Sequence, residues 1–275
     1  MTKRILVGLG GTPFTTVAVK RAVELARTHH AHVTGVTIVE LDRLQRVGPV
    51  PLGGAAYAQR MAQRRIDVTR ERVEAAVSEF ENACQEAGVN CSVERETGDA
   101  FDLMISHARY HDLTIFGLKS LFDYGLTEEP KDALIRLVSQ GVRPILAVSP
   151  IYRNIRKALV AYSGSMESAK AMRRFVQMRL WPDVHIDIVH FSTDKTKGKE
   201  LLAAAAEYCR AHGYETETRI VDEDADAGIL DHAQQTQADI IVMGNSVRSL
   251  MFRQILGSTA LHTIQNADRP LFLAQ

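Results

Sequence analysis

Charge of one sign is what this chain lacks: 33 Lys+Arg are set against 33 Asp+Glu, and the formal net charge is zero. A non-specific nucleic-acid or membrane-surface binder needs an excess of positive charge, so both classes are excluded. Aromatic residues make up only 6% of the chain, too few to build base-stacking platforms. No apolar run is long enough to span a bilayer. The three cysteines, Cys84, Cys91 and Cys209, form no CxxC pair and are odd in number. They read as reduced thiols of a cytoplasmic protein. Met1-Thr2-Lys3-Arg4 leads straight into an apolar strand-like segment with no cleavable signal pattern, which fits the same compartment.

What the chain does have is 45% hydrophobic residues, and its 275 residues suffice for two domains of ordinary size. It also has an internal repeat. Lys3–Thr12 reads as a short buried strand ending in a tight turn, and so does Arg156–Ser165, with Gly11-Thr12 matching Gly164-Ser165. A helix-period segment follows each, Val17–His29 and Met166–Arg179, and then a β-branched run, His32–Val39 and His185–His190. Cys84–Gly88 and Cys209–Gly213 each close a helix on a glycine suited to a left-handed cap. Polar strands follow at Cys91–Glu96 and Glu215–Val221, then helices at Phe101–Tyr110 and Ile229–Thr236. Asp112–Gly117 aligns with Asp239–Gly244, and Arg143–Val148 with Arg269–Ala274.

Strand and helix alternate and the strands are continuously apolar, which predicts parallel sheets covered on both faces. The fold class is therefore α/β, two tandem doubly wound domains, 1–150 and 151–275. Ser149–Asn154 is the linker, too short to let the domains roam. The first half carries an insert, 41–65, whose Gly48–Gly54 stretch predicts a mobile loop leading into an amphipathic helix over Ala58–Ala87. The closing strands, Pro144–Val148 and Pro270–Ala274, look like sheet edges, and pairing them within the chain would remove that liability.

Ligands of open parallel sheets bind beyond the carboxyl ends of the strands, where strand order reverses. In the second half this places Met243–Leu250 beside Gly257-Ser258-Thr259-Ala260, which opens the last helix. Glycine admits close backbone approach, and Ser258 and Thr259 add hydroxyls where free N–H groups and the helix dipole favour an anion. A turn with an N-cap serine is the plainer alternative for Gly257-Ser258. Other patterns are weaker. Gly8-Leu9-Gly10-Gly11 lacks the glycine spacing of a dinucleotide fingerprint. Ser163–Ser168 partly matches the loop of ATP pyrophosphatases, but Ser165 and Glu167 break the pattern. His29, His30 and His32 read as carbonyl caps. His190 is either an adenine contact or an ordinary strand-end histidine. Asp222-Glu223-Asp224 and Asp226 read as a solvated acidic loop. No Ser/His/Asp set and no acid–base carboxylate pair can be assembled, so no catalytic step is expected beyond slow ATP hydrolysis.

In the order and spacing of these pieces the chain resembles the universal stress protein family, in its tandem two-domain, adenine-nucleotide alpha hydrolase-like form. ATP-binding members carry Gly-x-x-Gly, nine residues, then Gly followed by Ser or Thr. Gly244, Val247, Gly257 and Ser258 stand at those spacings, with valine in place of the second glycine. Met243, Arg248-Ser249 and, in the first half, Gly98-Asp99 also look like the family. The resemblance implies a nucleotide site in the second domain built from Ser163, Gly164, Ser165, Val189, Met243, Gly244, Ser246, Val247, Arg248, Gly257, Ser258 and Thr259. Its ligand would be ATP, ADP or AMP, with or without Mg, and no metal ligands are expected from the chain itself. Two departures predict weakened binding. Val247 resists φ > 0 and crowds a phosphate. Ser163 stands where the family's nucleoside-contacting aspartate would be, and Gly10 is its counterpart in the first half.

The first half departs further. Its loop, Leu118–Pro130, ends at Lys131-Asp132 where Gly-Ser is needed, and Asp123, Glu128, Glu129 and Asp132 add negative charge that Lys119 offsets only in part. A degenerate, ligand-free first domain is expected. The reading is then a cytoplasmic stress-response module that binds adenine nucleotide and unidentified protein partners, without nucleic acid or membrane. Its domains pair within the chain, and a homodimer of chains is compatible. A nucleotide-free scaffold of the same fold is the alternative, with an ATP-consuming pyrophosphatase or transferase behind it.

Overall fold

The computed structural model describes residues 2–45, 54–118, 122, 135, 137–138, 142, 144–244, 247–250 and 253–274, with backbone alone for Arg43, 247–250 and 253–256. The first half runs β1 (Arg4–Gly8), α1 (Pro13–His29), β2 (His32–Val39), α2 (Leu41–Gln45), α3 (Ala55–Ala87), β3 (Cys91–Thr97), α4 (Ala100–Ala108), β4 (Leu113–Gly117) and β5 (Ile145–Val148). The second runs β6 (Lys157–Ala161), α5 (Met166–Met178), β7 (His185–Phe191), α6 (Lys195–Ala211), β8 (Thr216–Val221), α7 (Ala225–Gln235) and β9 (Ile240–Gly244). It ends with β10 (Val247–Leu250), β11 (Arg253–Leu256), α8 (Ser258–Asn266) and β12 (Leu271–Ala274). The insert is not all loop: Leu41–Gln45 is helical, and α3 begins at Ala55, earlier than the apolar periodicity alone suggests. Good helix formers such as Ala55, Ala56 and Ala58 extend it. Residues 46–53 of the insert lie outside the described residues.

Ten strands form one sheet in the order β3-β2-β1-β4-β5-β12-β9-β6-β7-β8, and β10 and β11 pair separately as a two-stranded ribbon. Each half contributes a five-strand doubly wound pattern, parallel throughout, and the two meet where β12 pairs antiparallel with β5, Phe272 opposite Leu146. The central strands are apolar because helices cover both faces: Ile5, Leu6 and Val7 on β1 and Ile240, Ile241 and Val242 on β9 are fully buried. The outermost strands, β3 and β8, alternate half-buried and exposed residues, as their polar sequences dictate.

The repeat extends to individual hydrogen bonds. Asp112 Oδ2 accepts from the backbone N–H of Lys3 (2.7 Å) and Arg4 (3.0 Å), clamping the start of β1 to the start of β4. Asp239 Oδ2 accepts in the same way from Arg156 and Lys157, both at 2.9 Å. Gly11 (φ 63°) and Gly164 (φ 80°) take the left-handed turn that lifts the chain off the first strand. Such a conformation strains any residue with a Cβ. Thr12 and Ser165 then start the helices.

The halves are fastened together through Glu24 on α1. Its carboxylate accepts from Arg21 (2.5 Å), from the Tyr152 hydroxyl (2.6 Å) and from Trp181 Nε1 (3.3 Å), which joins first half, linker and second half. Arg21, only 1% exposed, also donates to the Arg153 carbonyl and stacks over the Tyr152 ring at 4.5 Å. A buried guanidinium needs such partners, because leaving it unpaired is costly. Ser149–Asn154 is thus an anchored segment: Ser149 is fully buried and its hydroxyl donates to the Ile151 carbonyl. Across the sheet, Phe175 of α5 meets Phe272 of β12 edge-on at 5.3 Å. No helix among the described residues is long and apolar enough to cross a membrane.

Candidate functional site

Beyond the carboxyl ends of β6, β7 and β9 lies a cavity of about 660 Å³. The strand ends deliver Ala161, Tyr162 and Ser163 from β6, Phe191 from β7, and Met243 and Gly244 from β9. The first turn of α5 adds Ser165, Glu167 and Ser168, α7 adds Ala225 and Ile229, and the start of α8 adds Gly257 through Leu261. One wall is apolar, with Phe191, Ile229, Met243 and Leu261. The opposite rim carries hydroxyls.

Three of those hydroxyls form a cluster. Ser163 Oγ lies 3.0 Å from Ser165 Oγ and 3.3 Å from Ser168 Oγ, and Ser165 and Ser168 are 3.3 Å apart. Ser165 is the N-cap of α5, accepting from the Ser168 N–H at 3.2 Å, while the Ser168 hydroxyl donates back to the Ser165 carbonyl at 2.9 Å. Each serine has one hydroxyl hydrogen. All three can be used within the cluster, and Ser165 Oγ then has both lone pairs occupied, by Ser163 Oγ and the Ser168 N–H, while Ser163 Oγ and Ser168 Oγ each keep one.

Gly244 is a glycine because of packing. A Cβ there would lie 2.5 Å from the carbonyl carbon and oxygen of Glu167 and 2.7 Å from the Ser168 N, so β9 ends directly beneath the first turn of α5. Gly117 stands under α1 in the same position, its added Cβ meeting Phe14 Cβ at 2.5 Å. Gly257 caps α8 with φ −60° and ψ 150°, which any residue can adopt. Val247 opens the β10–β11 ribbon opposite Leu256. An extended strand suits a β-branched residue, so the expected conflict between Val247 and a positive φ does not arise in the backbone seen here.

At the start of α8 the Ser258 side chain is exposed, whereas the Thr259 hydroxyl donates to Asp226 Oδ1. Asp224 is the N-cap of α7, accepting from the Asp226 N–H at 2.7 Å. The acidic run is therefore structural at these two positions, in place of the purely solvated loop expected from its composition. Free N–H groups and dipole at α8 still favour an anion, but a carboxylate already stands beside them.

Of the expected site residues, Ser163, Ser165, Met243, Gly244, Gly257, Ser258 and Thr259 line the cavity together. Gly164 shapes the turn behind them, its missing Cβ leaving room for Leu201. Val189 does not line the cavity: it is fully buried in β7, and its carbonyl accepts the Tyr162 N–H at 2.9 Å. Apolar strands are buried on both faces, so a strand-interior valine has no route to the ligand. His190 turns away as well, its Nδ1 at 2.8 Å from the Tyr162 carbonyl. Ser246 and the side chains of Val247 and Arg248 lie outside the described residues. Sequence reading missed Tyr162, Glu167, Ser168, Phe191, Ala225 and Ile229. Their positions one residue past a strand or one turn into a helix were the available signal. Burial raises the pKa of the Tyr162 phenol, which therefore stays a neutral hydroxyl at physiological pH.

In the first half the described residues just past the ends of β1 and β4 are apolar. Leu9 is fully buried, and Leu118 and Phe122 are 2% and 5% exposed. Gly35 of β2 leaves room for Leu9 and Phe80, either of which a Cβ would meet at 2.8 Å. Lys119, Asp123, Glu128, Glu129, Lys131, Asp132 and Arg143 lie outside the described residues. His29, expected as a cap, is buried and hydrogen-bonds the Leu180 backbone of the second half, and His32 Nε2 meets Ser92 Oγ at 2.9 Å.

The universal stress protein family model matches residues 1–116 and 193–275. No curated protein matches the chain in sequence. Among solved structures, a universal stress protein from Archaeoglobus fulgidus DSM 4304 is 18% identical, with 100% of this chain and 96% of that one covered at a TM-score of 0.68. A protein of unknown function from Pseudomonas aeruginosa PAO1 is 16% identical, covering 99% and 92% at a TM-score of 0.63. At these identities the likeness shows the fold.

Proposed function

Because the chain belongs to the universal stress protein family, we propose that it is an adenine-nucleotide-binding regulatory module of the cytoplasmic stress response, with its site in the second domain (151–275) and none in the first (1–150). The observation that carries the reading is the cavity at the carboxyl ends of β6, β7 and β9. A base would lie against Phe191, Ile229 and Met243. Ribose hydroxyls would donate to the Ser163–Ser165–Ser168 cluster, and the phosphate would approach Ser258 at the start of α8. Occupancy itself is then the signal. A ligand that shifts the β10–β11 ribbon would change a surface that protein partners, including a second chain, can read.

The Asp226–Thr259 contact favours one alternative, a nucleotide-free scaffold of the same fold. Mass spectrometry of nucleotide carried through purification, followed by calorimetry with ATP, ADP and AMP, separates the two. The reading expects binding that Ser258→Ala weakens by about tenfold, the loss of one charge-assisted hydrogen bond to phosphate. Absence of binding to all three nucleotides leaves the scaffold.

A further inference from the structure

Resting on the adenine-nucleotide reading, we infer that Asp226 is a specificity-determining residue that makes the site select ligands of low charge, a nucleoside or nucleoside monophosphate, over di- and triphosphates. Four observations carry this. First, the Asp226 carboxylate accepts the Thr259 hydroxyl at the opening turn of α8, where a phosphate would otherwise be received. Second, the acidic residue Glu167 is among those that line the cavity. Third, the three serine hydroxyl hydrogens can all be used within the cluster and the Ser165 carbonyl, so the cluster has no donor committed to a phosphate. Fourth, no lysine, arginine or histidine is present among the described residues that line the cavity.

Magnitudes decide the sign. The N-terminus of a helix offers about half a positive elementary charge, and a carboxylate one full negative charge. With Asp226 seated against Thr259, the local balance at α8 is negative. A monophosphate can stand off at the rim, beside the exposed Ser258. Each further phosphate brings more negative charge toward Asp226 and Glu167 in a partly dehydrated space, where repulsion is stronger than in water. An adenine and a ribose bring none.

The test is calorimetry of adenosine, AMP, ADP and ATP in magnesium-free buffer with chelator, using the full chain stripped of carried nucleotide. The wild type should bind adenosine and AMP at least as tightly as ATP. Asp226→Asn keeps an acceptor for Thr259 but removes the charge. It should tighten ATP by about tenfold and change adenosine by less than about twofold, with ADP between. Thr259→Val keeps the charge and removes the hydroxyl, so it should give ATP no such gain. ATP binding the wild type more tightly than AMP overturns the inference without any variant. So does an equal shift of all four ligands in Asp226→Asn, which would mark a merely structural role. If neither protein binds any of the four, the adenine-nucleotide reading itself fails and takes this inference with it.

Discussion

Gly117 and Gly244 end the fourth strands of the two halves, and what they lie under differs. Gly244 is pressed against backbone, the Glu167 carbonyl and Ser168 N of α5, whereas Gly117 faces the Phe14 side chain of α1. The same contrast runs through the surroundings. The second half has a cavity with hydroxyls in its lining, and in the first half Leu9, Leu118 and Phe122, past the ends of β1 and β4, are buried and apolar. Two copies of one backbone plan therefore separate where side chains beyond the strands are free to vary. The Asp112 and Asp239 clamps, which hold the plan itself, stay identical.

If the halves act as one body, the largest effect should come from the residue they share. Glu24→Leu strips Arg21, Tyr152 and Trp181 of a common acceptor and leaves a buried guanidinium with the Arg153 carbonyl alone. A loss of about 3 kcal/mol is expected, the low end for breaking a buried pair because Glu24 is partly exposed. Urea unfolding followed by tryptophan fluorescence and by circular dichroism should then split into two transitions. A single unshifted transition would show that β5–β12 pairing suffices.

The glycines come next. Gly244→Ala must displace the carbonyl and amide of α5 and should cost about 2 kcal/mol, while Gly117→Ala meets Phe14 Cβ, which moves only with the α1 backbone, and should cost somewhat less, about 1.5 kcal/mol. Denaturant midpoints of the two variants measure the difference. A reversed order would mean that α5 yields more easily than its hydrogen-bonded first turn implies.

The smallest effect is on acid sensitivity. Burial lowers the pKa of His29 and His111 in the first half and of His232 in the second. His111 illustrates why: its Nδ1–H donates to the His107 carbonyl and its Nε2 accepts from Thr34, a geometry of the neutral ring. Because the folded values lie below the ordinary 6.5, the unfolded chain takes up protons first. Stability is then complete above that value and declines as pH falls from about 7 to about 5. His111→Asn should flatten the decline more than His232→Asn, since the Asp187 and Glu223 carboxylates work against burial at His232, whereas Arg4, His107 and His32 reinforce it at His111. Melting temperatures across that range decide it.

The architecture was legible because strands and helices announce themselves by period, and because each half repeats the other. The pairing of β5 with β12 followed from two apolar edge strands that needed cover. Part of the cavity lining was legible too, wherever a residue type has a chemical reason to stand in a loop, as with Ser163, Gly257 and Ser258. Val189 misled because a strand position says nothing about which face the ligand takes. Phe191 and Ile229 stayed hidden because apolar residues at strand ends and in helices look like core. Asp226 stayed hidden for another reason: its partner, Thr259, is far away in sequence, and only the fold brings α7 and α8 together.

The position of β12 bears on how the molecule is made. It lies between β9 and β5, the last strand of the sheet to be synthesised yet the one that joins its halves. Until Leu271–Ala274 leaves the ribosome, β5 has one side unpaired and the second half has no seam to offer it. The first half must wait, folded or nearly so, with an open strand edge of the kind that attracts other chains. The Glu24 fastening, built from α1, the linker and Trp181 just after α5, is complete earlier in synthesis and can hold the halves side by side until that last strand slots in.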